Sequence, residues 1–121
     1  MSSTRPISRS SAEHYHWGAA CDGWHLLRDA QLSIIEERMP PATGEERHRH
    51  ARARQFFYVL VGELTIDVAG TNHRLAARTG LEIAPGVVHQ ARNESDSDVE
   101  FLVVSAPPSH GDRLSGDEGM R

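Results

Sequence analysis

His48 and His50 stand two residues apart in the run GEERHRHARARQ, and a third histidine, His89, follows the dipeptide Pro85–Gly86. Residues two apart on a β-strand project from one face, so the first two imidazoles can chelate a single ion if this run is extended. Neutral imidazole is the commonest protein ligand for first-row transition metals, and His89 adds a third ring if the fold carries it alongside. Gln55 follows His50 by an odd interval, which on an unbroken strand turns it to the opposite face; a bend across Ala51 to Arg54 brings it back. With eight histidines in the chain, a surface pair is the competing reading of His48 and His50. In LSIIEERMP one parity places Ile35, Glu37 and Met39 inward and the other places Ile34, Glu36 and Arg38. The apolar neighbours favour Glu37, a carboxylate that beside a cation is a candidate general acid or base. Glutamates that are solvated or paired with arginine are the alternative. His14, His16 and His73 have no such setting and read as surface residues.

Many short segments rich in β-branched and aromatic residues, each bounded by Gly, Pro, Asn or Asp, must position these groups. That is the signature of an all-β sandwich or barrel, and no long helical period competes with it. Strands are expected near 24–28, 32–39, 46–51, 55–61, 64–69, 73–76, 80–84, 88–93 and 99–105. LTIDV alternates, with Leu64, Ile66 and Val68 on one face, as a half-buried strand does. QFFYVLV is apolar at both parities except at Gln55, so both of its faces should be covered. Gly62 and Glu63 suit a two-residue hairpin turn, and Pro85–Gly86 a second tight turn. Residues 1–13, rich in Ser and Arg, read as a flexible arm, 14–110 as one domain, and 111–121 as a flexible tail.

The chain of 121 residues is long enough for one core and too short for two. No run approaches the roughly 20 apolar residues of a membrane span, and MSSTRPISRSSAEH lacks the apolar centre of a secretory signal, so no membrane partner and a cytoplasmic location are expected. The single cysteine, Cys21, has no partner for an internal disulfide, which fits a reducing compartment. A net charge of −4 argues against a nucleic-acid partner, although Arg47, Arg49, Arg52 and Arg54 form a local basic cluster. Every basic residue is Arg, which removes lysine Schiff-base chemistry.

The blocks GEERHRHARARQFFYVLVG, from Gly44 to Gly62, and GLEIAPGVVHQARN, from Gly80 to Asn93, resemble the paired motifs of the cupin superfamily. The resemblance implies a double-stranded β-helix, a jelly-roll-like barrel, holding one divalent transition metal ion (Zn, Ni, Mn, Fe or Co) on His48, His50, Gln55 and His89. The family usually carries Glu where this chain has Gln55, and the second block is one residue short between Gly80 and Pro85. A neutral amide leaves the ion its full charge, which favours Lewis-acid work over redox chemistry. The ligand set also resembles that of cupins acting on unsaturated uronate sugars. The run WGAACDGWHLL, with the closing PPSHGDR from Pro107 to Arg113, resembles a subgroup of small bacterial cupins loosely labelled sugar-phosphate isomerase-like. Trp24, His25 and His110 are then candidates to close the barrel mouth, with packing as the alternative. The expected function is a metal-dependent isomerase, lyase or hydratase acting on a small oxygen-rich molecule such as a sugar acid. An iron or nickel dioxygenase and a non-catalytic binding module are the alternatives. Because Phe56, Tyr58 and Leu60 lie on the outer parity of their strand, a homodimer is expected.

Overall fold

The computed structural model describes residues 4–109 and 111–116. Eleven strands are present among them: β1 (Glu13–Trp17), β2 (Cys21–Arg28), β3 (Ser33–Met39), β4 (His48–His50), β5 (Arg54–Val61), β6 (Leu64–Val68), β7 (Thr71–Leu75), β8 (Gly80–Ile83), β9 (His89–Arg92), β10 (Val99–Ala106) and β11 (Arg113–Ser115). They form two antiparallel sheets, one in the order β1-β2-β3-β10-β5-β8 and the other β11-β4-β9-β6-β7. This is the expected all-β double-stranded β-helix. Both sheets turn their apolar parity inward, and Met39, Phe57, Val59 and Phe101 from the first meet Leu64, Ile66, Leu75 and Ala91 from the second in one buried core.

The chain crosses repeatedly between the sheets, and the crossings explain why Gln55 joins the histidines. Arg49 and His50 belong to one sheet and Arg54 and Gln55 to the other, with a bend at Ala51–Arg52 between them. Gln55 therefore faces the interior from across the barrel and not from a bent continuation of the same strand. Pro85–Gly86 makes the opposite crossing, with Gly86 at φ 82° and its amide donating to the carbonyl of His50 at 2.7 Å. The Gly62–Glu63 segment also differs from the expected hairpin. β5 and β6 lie in different sheets, and Gly62 passes so close to the next crossing that a Cβ would meet the carbonyl of Asp98 at 2.6 Å. The true two-residue hairpin is Ala69–Gly70, both at positive φ, which joins β6 to β7.

Residues next to the described ends make specific contacts. Glu13 begins an edge strand, and before it Arg9 forms ion pairs with Glu36 and Glu100 and lies over the Trp24 ring at 4.1 Å. After Gly111, Arg113–Ser115 pair with β4 in register Arg113↔His50 and Ser115↔His48, so the segment expected as a free tail carries a strand. Its anchor is Asp112, whose carboxylate accepts from the amides of Arg52 and Ala53 at 2.9 and 2.8 Å. No helix of the described residues is long and apolar enough to cross a membrane.

Candidate metal centre

β4 is three residues long, and its first and last side chains, His48 and His50, point the same way into the barrel. β9 pairs with it at His48↔His89, which sets the third imidazole beside the first two. One ring nitrogen from each lies within 4.8 Å of the others', and ring centroids are 4.3 Å apart for His48 and His89. All three rings are buried. Nδ1 of His48 donates to the carbonyl of Glu46 at 2.8 Å, and Nδ1 of His89 to that of Val87 at 2.9 Å, so in each ring Nε2 keeps the lone pair. Gln55 reaches in from β5, and its amide donates to the hydroxyl of the buried, register-opposed Ser105 at 3.0 Å. That bond engages the amide nitrogen and leaves the oxygen without a hydrogen-bond partner.

The test of fit for a metal is what these atoms lack. Nδ1 of His50, Oε1 of Gln55 and Nε2 of His89 are buried with no hydrogen-bond partner. Burying polar atoms without partners costs on the order of 1 to 3 kcal/mol each, and orphaned atoms on residues of both sheets, two of them in the three-histidine cluster, fit a bound cation. Burial first, then the mutual proximity of the rings and the charge of Arg113, pushes His48 down to about 3; burial, His89 and Arg113 push His50 down to about 4. His89 is lowered too, chiefly by burial. Neutral imidazoles are the form that binds metal.

A cavity of about 260 Å³ adjoins the cluster, lined among others by Glu37, Glu45, Tyr15 and Arg113. Glu37 faces inward with Ile35 and Met39, while Glu36 on the other parity pairs with Arg9. Glu37 is held along one lane across three strands, Tyr15↔Gly23↔Glu37. A Cβ on Gly23 would stand 2.2 Å from the Tyr15 ring, so only glycine lets that ring lie flat and its hydroxyl donate to Glu37 Oε2 at 3.2 Å. Loss of solvation, then the nearby Glu45, pushes Glu37 up to about 8; the Tyr15 hydrogen bond and Arg113 act against this. Glu45, whose carboxylate accepts from the Ala91 amide at 3.0 Å, is raised to about 7 by burial.

Tyr15, Glu45 and Arg113 belong to the site and were not singled out as site residues from the sequence. Glu45 and Arg113 stand in runs that carry the family resemblance, which was the signal available for them, whereas Tyr15 stands outside those runs. Trp24 takes the packing alternative: it sits on the outer face under Arg9, because β2 turns Gly23 and His25 inward. His25 lies against Tyr15 with centroids 4.9 Å apart and the ring planes tilted by 33°, in the wall of an outer chamber of about 770 Å³ that shares Tyr15, Ile35 and Ser109 with the inner cavity. His110 lies outside the described residues. His14 and His16 are exposed, as expected, and both approach Asp22, which also accepts two bonds from Arg38. Of the basic cluster, Arg47, Arg52 and Arg54 pair with Asp67, Asp112 and Glu82. The asparagine closing the second block, Asn93, is a clamp: its amide donates to the carbonyls of Met39 and Ser97, both at 2.8 Å.

Residues 35–105 match the family model described as Cupin domain. The H2HPP isomerase of Bacillus subtilis is 36% identical over 67 residues, which are 54% of this chain and 28% of that protein. The protein called polyketide synthase CurC of Streptomyces cyaneus is 30% identical over 69 residues, 57% of this chain and 45% of that one. The match thus covers less than half the length of either curated relative. Among solved structures, KdgF from Halomonas sp. superposes with a TM-score of 0.80 over 88% of this chain and 96% of its own, at 14% identity, a likeness of fold alone.

Proposed function

The chain belongs to the cupin domain family, and from that premise we propose that it is a metal-dependent enzyme of the isomerase, lyase or hydratase type. His48, His50, Gln55 and His89 hold one divalent transition metal ion, and the substrate is a small oxygen-rich molecule. The carrying observation is the cluster of His48, His50 and His89 with the buried, partnerless atoms His50 Nδ1, Gln55 Oε1 and His89 Nε2, in a barrel whose adjoining cavity is also lined by Glu37. When bound, a divalent ion on such a neutral donor set supplies Lewis-acid polarisation of a ligand oxygen. Glu37 moves the proton: a carboxyl pushed up to about 8 exists in both protonation states near neutrality, which suits general acid–base work. Tyr15 positions it through the hydroxyl bond to Oε2. The name of one curated relative, an isomerase, agrees with proton-transfer chemistry of this kind.

Elemental analysis of protein purified without a histidine tag should find about one metal ion per chain, retained in Gln55→Glu and depleted in Gln55→Leu. Metal-loaded protein incubated in D2O with a panel of sugars and sugar acids should exchange a substrate C–H for deuterium, and Glu37→Gln should lower that rate about 100-fold or more at unchanged metal content. Exchange at the wild-type rate in Glu37→Gln removes Glu37 from the chemistry. Stoichiometric metal that survives His48→Ala with His50→Ala removes the proposed centre.

A further inference from the structure

Arg113 enters the inner cavity from β11. It stands opposite His50 in register, which puts its side chain on the same face as that imidazole, and the cavity wall includes it. Apart from the histidines it is the one basic residue among those described in that wall. Its guanidinium makes one hydrogen bond among the described residues, Nη2 donating to the carbonyl of Glu46 at 3.3 Å. Arg38, Arg47, Arg52 and Arg54 each pair with a carboxylate; Arg113 has none within ion-pair distance among the described residues. Most of its five N–H donors are therefore left without a protein acceptor beside a metal-ligating cluster.

The backbone holds it there. Asp112 turns the other way and accepts the Arg52 and Ala53 amides, its own amide donates to the Ser109 carbonyl at 3.0 Å, and the Gly116 amide donates to Arg47 at 3.0 Å. Arg113 is exposed, but its backbone is fixed on both sides and its side chain forms part of the cavity wall, where the planar fork of a guanidinium with donors to spare matches a carboxylate with two parallel bonds. A cavity of about 260 Å³ has room for roughly nine waters at about 30 Å³ each, which sets the size of the molecule.

Building on the proposed metal centre, we propose that Arg113 binds the substrate's carboxylate, so that this site takes a small carboxylate anion lying between the Arg113 guanidinium and the His48, His50, Gln55 and His89 cluster. Any larger body of the molecule extends past Tyr15 and Ile35 into the outer chamber.

Calorimetric titration of the full chain with malonate, in zinc-loaded and in chelator-stripped form, tests this. In both forms Arg113→Gln should weaken malonate about tenfold to a hundredfold, and Arg113→Lys should recover part of the loss. Malonamide, the uncharged counterpart, should be indifferent to either substitution, and zinc stoichiometry should match wild type. Thermal melting establishes that each variant is folded; if Arg113→Gln is not, Arg113→Lys alone should still bind malonate several-fold more weakly for want of the planar fork. Malonate that binds wild type and both variants equally, or does not bind wild type at all, overturns the proposal. Inorganic phosphate displacing malonate in an Arg113-dependent way overturns the choice of a carboxylate. Wild type without stoichiometric zinc overturns the metal centre alone, since the comparison in stripped protein still reads Arg113.

Discussion

Each imidazole of the cluster is prepared for a cation by what surrounds it, and the preparation has a pH signature. An ordinary histidine loses metal to protons as pH falls below about 6.5. Burial keeps His48 neutral down to about 3 and His50 down to about 4, so proton competition is deferred. Metal affinity should stay level from about pH 8 to about pH 5 and fall only below about pH 4. The same shifts act on the metal-free fold with a definite sign. Between 6.5 and the depressed folded values the unfolded chain binds more protons, so the contribution of these rings is complete above 6.5 and is lost as pH falls through that window. Calorimetric metal titration across this range checks the prediction; an affinity that drops tenfold per unit of pH between 7 and 5 contradicts it. Glu37 has the opposite habit, because a carboxyl raised to about 8 makes its contribution below about 4.5 and loses it as pH rises toward 8.

At the scale of elements, the short strands at the sheet edges decide whether the site is complete. β11 contributes Arg113 and is held by Asp112, a buried carboxylate kept below its ordinary value, against the cost of burial, by the amides of Arg52 and Ala53. Asp112→Ala should cost about 2 to 4 kcal/mol, because two buried donors lose a charged acceptor, and Asp112→Asn should cost less. Urea unfolding measures both; midpoints equal to wild type would show that the staple holds nothing. Legibility followed the same division. The interior strands were readable because their apolar runs have a strong period: Leu64 and Ile66 are fully buried as the alternation required, and β10 alternates buried and half-buried positions along its length. β1 and β11 were not readable, since EHYHW and RLS are short, polar and at sheet edges, where pairing with a neighbour and not burial makes the strand. The inward parity of Glu37 followed from Ile35 and Met39. Its companions Tyr15 and Glu45 did not, because they come together with it only through pairings far apart in the chain.

At the scale of the molecule, the six-stranded sheet has two outer faces of different character. Over β1 to β3 the chain covers itself, with Arg9 lying on Trp24 and pairing with Glu36 and Glu100. Over β5, β8 and β10 it does not. Phe56 is 42% exposed, Leu60 37% and Val61 51%, so the expectation that both faces of QFFYVLV are covered fails within one chain. Phe56 lies flat on Gly80, where a Cβ would stand 2.4 Å from its ring, and stacks at 6.5 Å on Tyr58. Beside it, Phe56, Val104, Ala106 and the stems of Arg54 and Glu82 surround a hollow of about 240 Å³. An exposed apolar ledge beside a hollow is a surface that a second copy related by a twofold axis would cover, each copy burying the other's Phe56 and Leu60. Contiguous exposed apolar surface of this kind marks an interface, and a second copy of the chain satisfies both features at once. Light scattering at micromolar concentration should therefore give about twice the 13.4 kDa of one chain. Phe56→Asp places a charge on the ledge without touching the inward parity of β5, where Gln55, Phe57 and Val59 point to the cluster and the core. It should shift the protein toward monomer while its metal content stays at that of wild type. A wild-type mass near that of one chain, or a Phe56→Asp dimer as tight as wild type, would place the contact elsewhere or remove it.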